Sequence, residues 1–192
     1  MDTCNICKGS LIDPRSGNQC SCVIKTSLKR DMNPILLKST SFDKSFRFPL
    51  EHMRKFKSTI CTLNKSSFNS MCKYYFSLEY IATNGRFTHV YSTARELISA
   101  FLDPISREAE LQYTSCDALF LTIFNDPENK YMTEVIPYLV AQRYAMGKTT
   151  WICVEQKIYQ SKAVKYGGMI ESILVDKSAT YISSFKPVGW SS

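Results

Sequence analysis

The stretch QRYAMGKTTWICVE, residues 142–155, decides how the second half of the chain is read. Its Gly147-Lys148-Thr149-Thr150 matches the tail of a phosphate-binding loop, a motif that needs Gly-x4-Gly-Lys-Ser/Thr after a strand and at the opening of a helix. The first glycine of that pattern falls on Gln142. The order of elements is also reversed. The preceding NKYMTEVIPYLVAQRYAMG reads as a helix, kinked at Pro137, and TTWICVE reads as a short buried strand. Gly147 is therefore expected at the C′ position of a helix, with Lys148 in a helix-to-strand turn.

The same pattern extends to both sides. STICTL is a short β-branched run and a candidate buried strand. SFNSMCKYYFSLEYIATNG places Phe68, Met71, Cys72, Tyr75, Leu78 and Ile81 on one helical face and stops at Gly85. FTHVYS reads as a strand, and TARELISAFL as a helix with Thr93 as N-cap and Glu96 completing a capping box. DALFLTIF is a continuous apolar run, as expected of a central parallel strand. KAVKYGGMIESILV reads as a helix and ATYISSF as a last strand. Strands alternating with helices predict an α/β fold, a parallel sheet with helices on both faces.

Three segments follow: a cysteine-rich module at 1–24, a basic connector at 25–57, and the α/β domain at 58–192. Of eight cysteines, Cys4, Cys7, Cys20 and Cys22 crowd the module. Their Cys-x2-Cys-x12-Cys-x-Cys spacing supplies two close thiolate pairs, which suits a closed, structural zinc site. Cys61, Cys72, Cys116 and Cys153 stand among apolar neighbours and are expected to be buried small hydrophobes. The net charge is +7, with 13 Lys and Arg against 5 Asp and Glu in residues 1–73, and 11 against 12 in the remainder. The basic excess is N-terminal, so an acidic partner is expected there. Lys25, Lys29, Arg30, Arg54, Lys55 and Lys57, interleaved with Phe42, Phe46, Phe48 and Phe56, fit a single-stranded nucleic-acid surface; the alternative is a solvated basic face with the Phe residues in core contact between connector and sheet. No apolar run reaches the length of a membrane span, and MDTCNICKGS lacks an export layout, so a soluble cytoplasmic protein with no membrane partner is expected. His52 and His89 stand in no recognisable catalytic or metal arrangement.

The order of elements and the quoted segments resemble the DnaC/DnaI-type replicative helicase loaders, including phage members. CNICKGSLIDPRSGNQCSC is similar to the cysteine stretch of that family. YIATNGRFTHVYSTARELISAF, CDALFLTIFND and VIPYLVAQRYAMGKTTWICVEQ look like the segments that follow its phosphate loop. The resemblance implies an AAA+/RecA-like core, a hexameric DnaB-type helicase as partner, and contact with single-stranded DNA. Carried over residue by residue, the family's phosphate loop falls on Leu63 through Ser70, with Leu63 and Phe68 at the glycines, Asn69 at the lysine, and Ser70 at the metal-binding hydroxyl. The Walker B acids fall on Thr122 and Ile123, the sensor on Glu155, and the arginine finger near Ile173. These departures predict a degenerate site with no ATP or magnesium, and hence a pseudo-ATPase. The expected function is assistance in helicase loading; the alternative is inhibition by sequestering a host helicase or its loader.

Overall fold

The computed structural model describes residues 4–39, 58–61, 63–102, 107–124, 132–154 and 179–182. Among these, the cysteine module is followed by α1 (Ser21–Asp31) and α2 (Pro34–Lys38). Then come β1 (Ser58–Cys61), α3 (Lys65–Ala82), β2 (His89–Thr93), α4 (Ala94–Leu102) and α5 (Arg107–Ser115). The chain continues through β3 (Ala118–Ile123), α6 (Met132–Ala145), β4 (Thr149–Val154) and β5 (Ala179–Ile182). The five strands form one sheet in the order β2-β3-β4-β1-β5. Every pairing is parallel, with Ile60 opposite Ile152 and Tyr181, and Phe120 opposite Tyr91 and Trp151.

Alternate strand residues divide between two cores, because side chains leave a strand on opposite faces. Cys61, Tyr91, Ala118, Phe120, Trp151 and Cys153 pack against α1, α2 and α3. Ile60, Leu119, Leu121, Ile123, Ile152 and Val154 pack against α4, α5 and α6. Both central strands, β3 and β4, are buried at all six positions, which is why their sequences lack polar alternation. The sheet thus has helices on both faces, as the alternation of segments predicts.

Helix ends follow the expected chemistry. Glu96 accepts the Thr93 N–H at 2.8 Å while the Thr93 hydroxyl accepts the Glu96 N–H at 3.2 Å, a closed capping box. At the end of α6, Gly147 adopts φ +65, its N–H donates to Tyr144 O, and the Lys148 N–H reaches back to Arg143 O. That pair of bonds is a Schellman stop. The end of α3 differs from the sequence reading. Asn84, at φ +52, takes the left-handed C′ position, with Gly85 the next residue. The buried stripe of α3 runs through Phe68, Met71, Cys72, Tyr75, Phe76 and Tyr80, and Ile81 is 47% exposed. The stripe is wider than one sheet-facing row because α3 is covered from two sides, by the sheet and by α1–α2.

Three helices have no counterpart in the sequence reading. α5 exposes most of its length and buries only Tyr113 and Thr114, so its apolar period is weak. α1 and α2 occupy the start of the stretch read as a connector, and the expected boundary after residue 24 lies inside α1. Ile24, Met32 and Leu36 belong to the first core. Two polar contacts clamp this strap. The Tyr80 hydroxyl donates to Asp31 at 2.5 Å, and the Asn33 N–H donates to His89 Nε2 at 3.2 Å. His89 also lies 3.9 Å from the Phe76 ring, centroid to centroid.

A second polar constraint lies beneath the other face. Arg143 is fully buried. Its guanidinium donates to the carbonyls of Tyr113 (2.7 Å), Cys116 (3.0 Å) and Thr149 (2.6 Å), and to the Thr150 hydroxyl (2.9 Å). It thereby satisfies the orphan carbonyls at the end of α5, where the helix dipole is negative.

Two outcomes are expected from these contacts. Arg143→Lys removes the planar fork and leaves carbonyls unpaired, so it should destabilise the fold by about 3 to 5 kcal/mol in urea unfolding. Burial lowers the His89 pKa to about 4 from an ordinary 6.5. The neutral ring is therefore favoured in the folded state, and its contribution is complete above pH 6.5 and is lost as pH falls from there toward 4. At pH 5 the loss amounts to about 2 kcal/mol, and His89→Gln should flatten that part of the pH profile of the urea midpoint.

Candidate functional site: the segment after β1 and a four-cysteine centre

In an open α/β sheet, ligands bind beyond the carboxyl ends of the strands, where successive crossovers leave for opposite faces. Here the chain leaves β1 over the first face by α3, and passes from β3 to β4 over the second face by α6. The segment after β1 therefore lies at the switch point, and it runs from Leu63 and Asn64 into the first turns of α3, through Ser70.

A phosphate there would need unoccupied N–H groups at the start of α3. One of them, the Ser67 N–H, is already used. The Asn64 side chain accepts the Ser67 N–H at 2.8 Å, and Asn64 O accepts the Phe68 N–H at 3.0 Å. Helix α3 begins at Lys65, so the stretch that would have to wrap a phosphate is its first turns. Phe68 is 0% exposed and Leu63 is 7% exposed, and both belong to the first core. Asn69 and Ser70 are buried. Asn69 Oδ1 accepts the Tyr91 hydroxyl at 2.7 Å, a bond that ties α3 to β2. Burial pushes the Tyr91 hydroxyl up to about 12, so it remains the donor.

Thr122 and Ile123 end β3, Thr122 beside β2 with its hydroxyl toward Ser92 O at 3.4 Å, and Ile123 in the second core. Neither offers a carboxylate. Glu155 and Ile173 lie outside the described residues.

Lys148 sits at the other end of the sheet. Its ammonium contacts Asp117 at 2.8 Å, and Asp117 also accepts the Thr88 N–H and hydroxyl, each at 2.9 Å. Burial raises the Asp117 pKa, but the Lys148 and Thr88 bonds prevail and hold it below the usual carboxylate range. The lysine that matched a phosphate loop thus latches the amino ends of β2, β3 and β4.

The four N-terminal cysteines do converge. Sγ of Cys4 lies 3.8 Å from that of Cys20, and Sγ of Cys7 3.6 Å from that of Cys22. All four sulfurs fall within 4.8 Å of one another. A tetrahedron with metal–sulfur bonds of about 2.3 Å has sulfur–sulfur edges of about 3.8 Å, so the set can hold a metal ion. The chain around the first pair turns by left-handed residues at Lys8 (φ +46) and Gly9 (φ +94). Cys20 is the N-cap of α1 and Cys22 lies in its first turn, so the centre is joined directly to the strap on the sheet.

The sulfur charges are uneven. Backbone N–H groups of Cys7 and Ile6 lower the Cys4 pKa to about 6. Cys22 is pushed up to about 12, first by its bond to Cys20. Four neighbouring thiolates repel, and a bound cation would remove that repulsion. Cys61, Cys72, Cys116 and Cys153 are buried, and burial raises the pKa of the first three.

Of the basic candidates, Lys25, Lys29 and Arg30 are exposed on α1, and Arg30 pairs with Asp31 at 2.7 Å. Arg54, Lys55, Lys57 and the four Phe residues of that segment lie outside the described residues, as does His52. Asn64, Tyr91 and Asn33 were not singled out by the sequence reading. The cap at Asn64 was legible as Asn immediately before a helical period, whereas the Tyr91–Asn69 and Asn33–His89 bonds join distant segments and leave no local signal.

No family model matches the chain, and no curated protein sequence matches it. Among solved structures, the crystal structure of the DnaC helicase loader covers 91% of this chain and 97% of its own, at 13% identity and a TM-score of 0.49. That is a distant likeness of fold.

Elemental analysis of the purified protein should find one metal ion per chain. Cys20→Ala should lower that occupancy and, because Cys20 joins the sulfur centre to the start of α1, speed hydrogen exchange of the amides in residues 21–38.

Proposed function

We propose that the protein is a DNA-replication accessory factor that binds a hexameric DnaB-type replicative helicase. It assists loading on single-stranded DNA without hydrolysing ATP. The observation that carries the reading is the segment at the switch point: the Asn64 side chain takes the Ser67 N–H, and Leu63 and Phe68, which stand at the family's glycine positions, are buried in the core. Phosphoryl transfer depends on a cradle, a cation and a metal ligand, and Asn69, Thr122 and Ile123 supply none of these. The scaffold then serves as an interaction domain, a pseudo-ATPase. The resemblance of the sequence to helicase loaders supplies the partner, and the four thiolates fit structural zinc. The basic face of α1, with Lys25 and Lys29, suits contact with a phosphate backbone.

The protein is added to purified helicase and primed single-stranded DNA. Stimulated unwinding supports loading. Inhibition, with a stable complex, replaces loading by sequestration, and absence of any complex overturns the helicase reading. Saturable micromolar ATP binding would refute the pseudo-ATPase reading.

A further inference from the structure

The four sulfurs of the module divide by exposure. Cys20 is 0% exposed and Cys7 5%, whereas Cys4 and Cys22 are half-buried. The two short sulfur–sulfur contacts, Cys4 to Cys20 at 3.8 Å and Cys7 to Cys22 at 3.6 Å, each join a half-buried sulfur to a buried one. Each contact also crosses from the first knuckle, which holds Cys4 and Cys7, to the start of α1. An accessible sulfur beside a buried partner is the arrangement of a reversible oxidation site: the outer sulfur takes the oxidant and the inner one resolves it.

Backbone hydrogen bonds hold both pairs in place. The Lys8 N–H bonds Cys4 O, and the Ser10 N–H bonds Cys7 O. The Asp13 N–H bonds Asn18 O, Ile12 bridges Gln19, and the Cys20 N–H bonds Leu11 O. The two ends of the module therefore face each other across a hairpin whose bonds do not pass through sulfur. A disulfide has its sulfurs about 2.0 Å apart, so either pair closes by a side-chain movement of under about 2 Å. Other pairings are worse placed. Cys20 O accepts the Val23 and Ile24 N–H groups, and a bridge from Cys20 to Cys22 would distort that first turn of α1. A bridge from Cys7 to Cys20 would join the two buried sulfurs, with no accessible sulfur to react first.

We infer that the four-cysteine centre is a redox site, at which a peroxide converts the thiolates to two disulfides, Cys4–Cys20 and Cys7–Cys22, and displaces the bound cation. In each pair the outer thiolate attacks the peroxide, the O–O bond breaks, and a sulfenic acid and hydroxide form. The buried thiol then attacks the sulfenic sulfur. The S–S bond forms, and the thiol proton and the sulfenic hydroxyl leave as water. Two electrons per pair pass from sulfur to the peroxide oxygens. Both bridges run from the first knuckle to the start of α1, so the oxidised module keeps its hold on the strap while giving up the cation. The inference stands whether or not the protein binds a helicase.

The test uses full-length, zinc-loaded protein and hydrogen peroxide. Trypsin leaves Cys4 and Cys7 in residues 1–8, and Cys20 and Cys22 in residues 16–25. Bridges between the two ends of the module therefore join two peptides that bridges within either end would leave apart. After about two equivalents of peroxide per chain, zinc should pass to a colorimetric chelator and the two peptides should be found as one species. Fragmentation of that species should place the bonds at Cys4–Cys20 and Cys7–Cys22. Cys61, Cys72, Cys116 and Cys153, buried in the two cores, should remain thiols. A thiol reductant with added zinc should restore the starting state. Amides of residues 21–38 should exchange no faster in the oxidised protein than in the zinc-loaded one, whereas chelation of zinc without oxidant should speed them. Retention of zinc, or oxidation to sulfinic and sulfonic acids without disulfides, overturns the redox site. Unlinked peptides, or bonds at Cys4–Cys22 and Cys7–Cys20, overturn the pairing. Fast exchange in the oxidised protein overturns the retained hold on α1.

Discussion

The guanidinium of Arg143 holds the second face of the sheet together. It is a cation without access to water, and burial pushes its pKa down from the ordinary value. It is kept charged by oxygens of fixed position: Tyr113 O, Cys116 O, Thr149 O and the Thr150 hydroxyl. Those groups belong to the end of α5, the entry to β3 and the start of β4. One side chain therefore sets where three segments meet, and the Lys148–Asp117 pair repeats the tie at the same end of the sheet. With the amino ends of β3 and β4 aligned, their six buried positions are in register, and β4 pairs in turn with β1.

The carboxyl edge of the sheet has the topology of a ligand site. In the segment from Leu63 to Ser70, Leu63 and Phe68 belong to the first core and the Asn64 side chain caps the start of α3. The Tyr91–Asn69 bond ties α3 to β2, since breaking it would leave two buried polar groups unpaired.

The first face is organised from the other direction. A four-sulfur centre starts α1, and α1 and α2 carry it onto α3 and β2. Apolar contacts from Ile24, Met32 and Leu36 supply area, while Asp31–Tyr80 and Asn33–His89 fix position. The cysteine module is thus joined to the sheet.

Much of the layout was legible in the sequence because it depends on neighbours in the chain. Apolar runs marked β3 and β4, Thr93 and Glu96 closed their capping box, Gly147 stopped α6, and the cysteine spacing marked a sulfur cluster. Each of these is decided within a few residues by periodicity, dihedral preference or local hydrogen bonding. The same local reading passed over α1, α2 and α5, whose stability comes from docking rather than from a strong period of their own. Strand order, the burial of Phe68, the partners of Asn69 and His89, and the carbonyl cage of Arg143 were decided by the tertiary structure alone. They depend on contacts between residues far apart in the chain, which only the assembled sheet brings together.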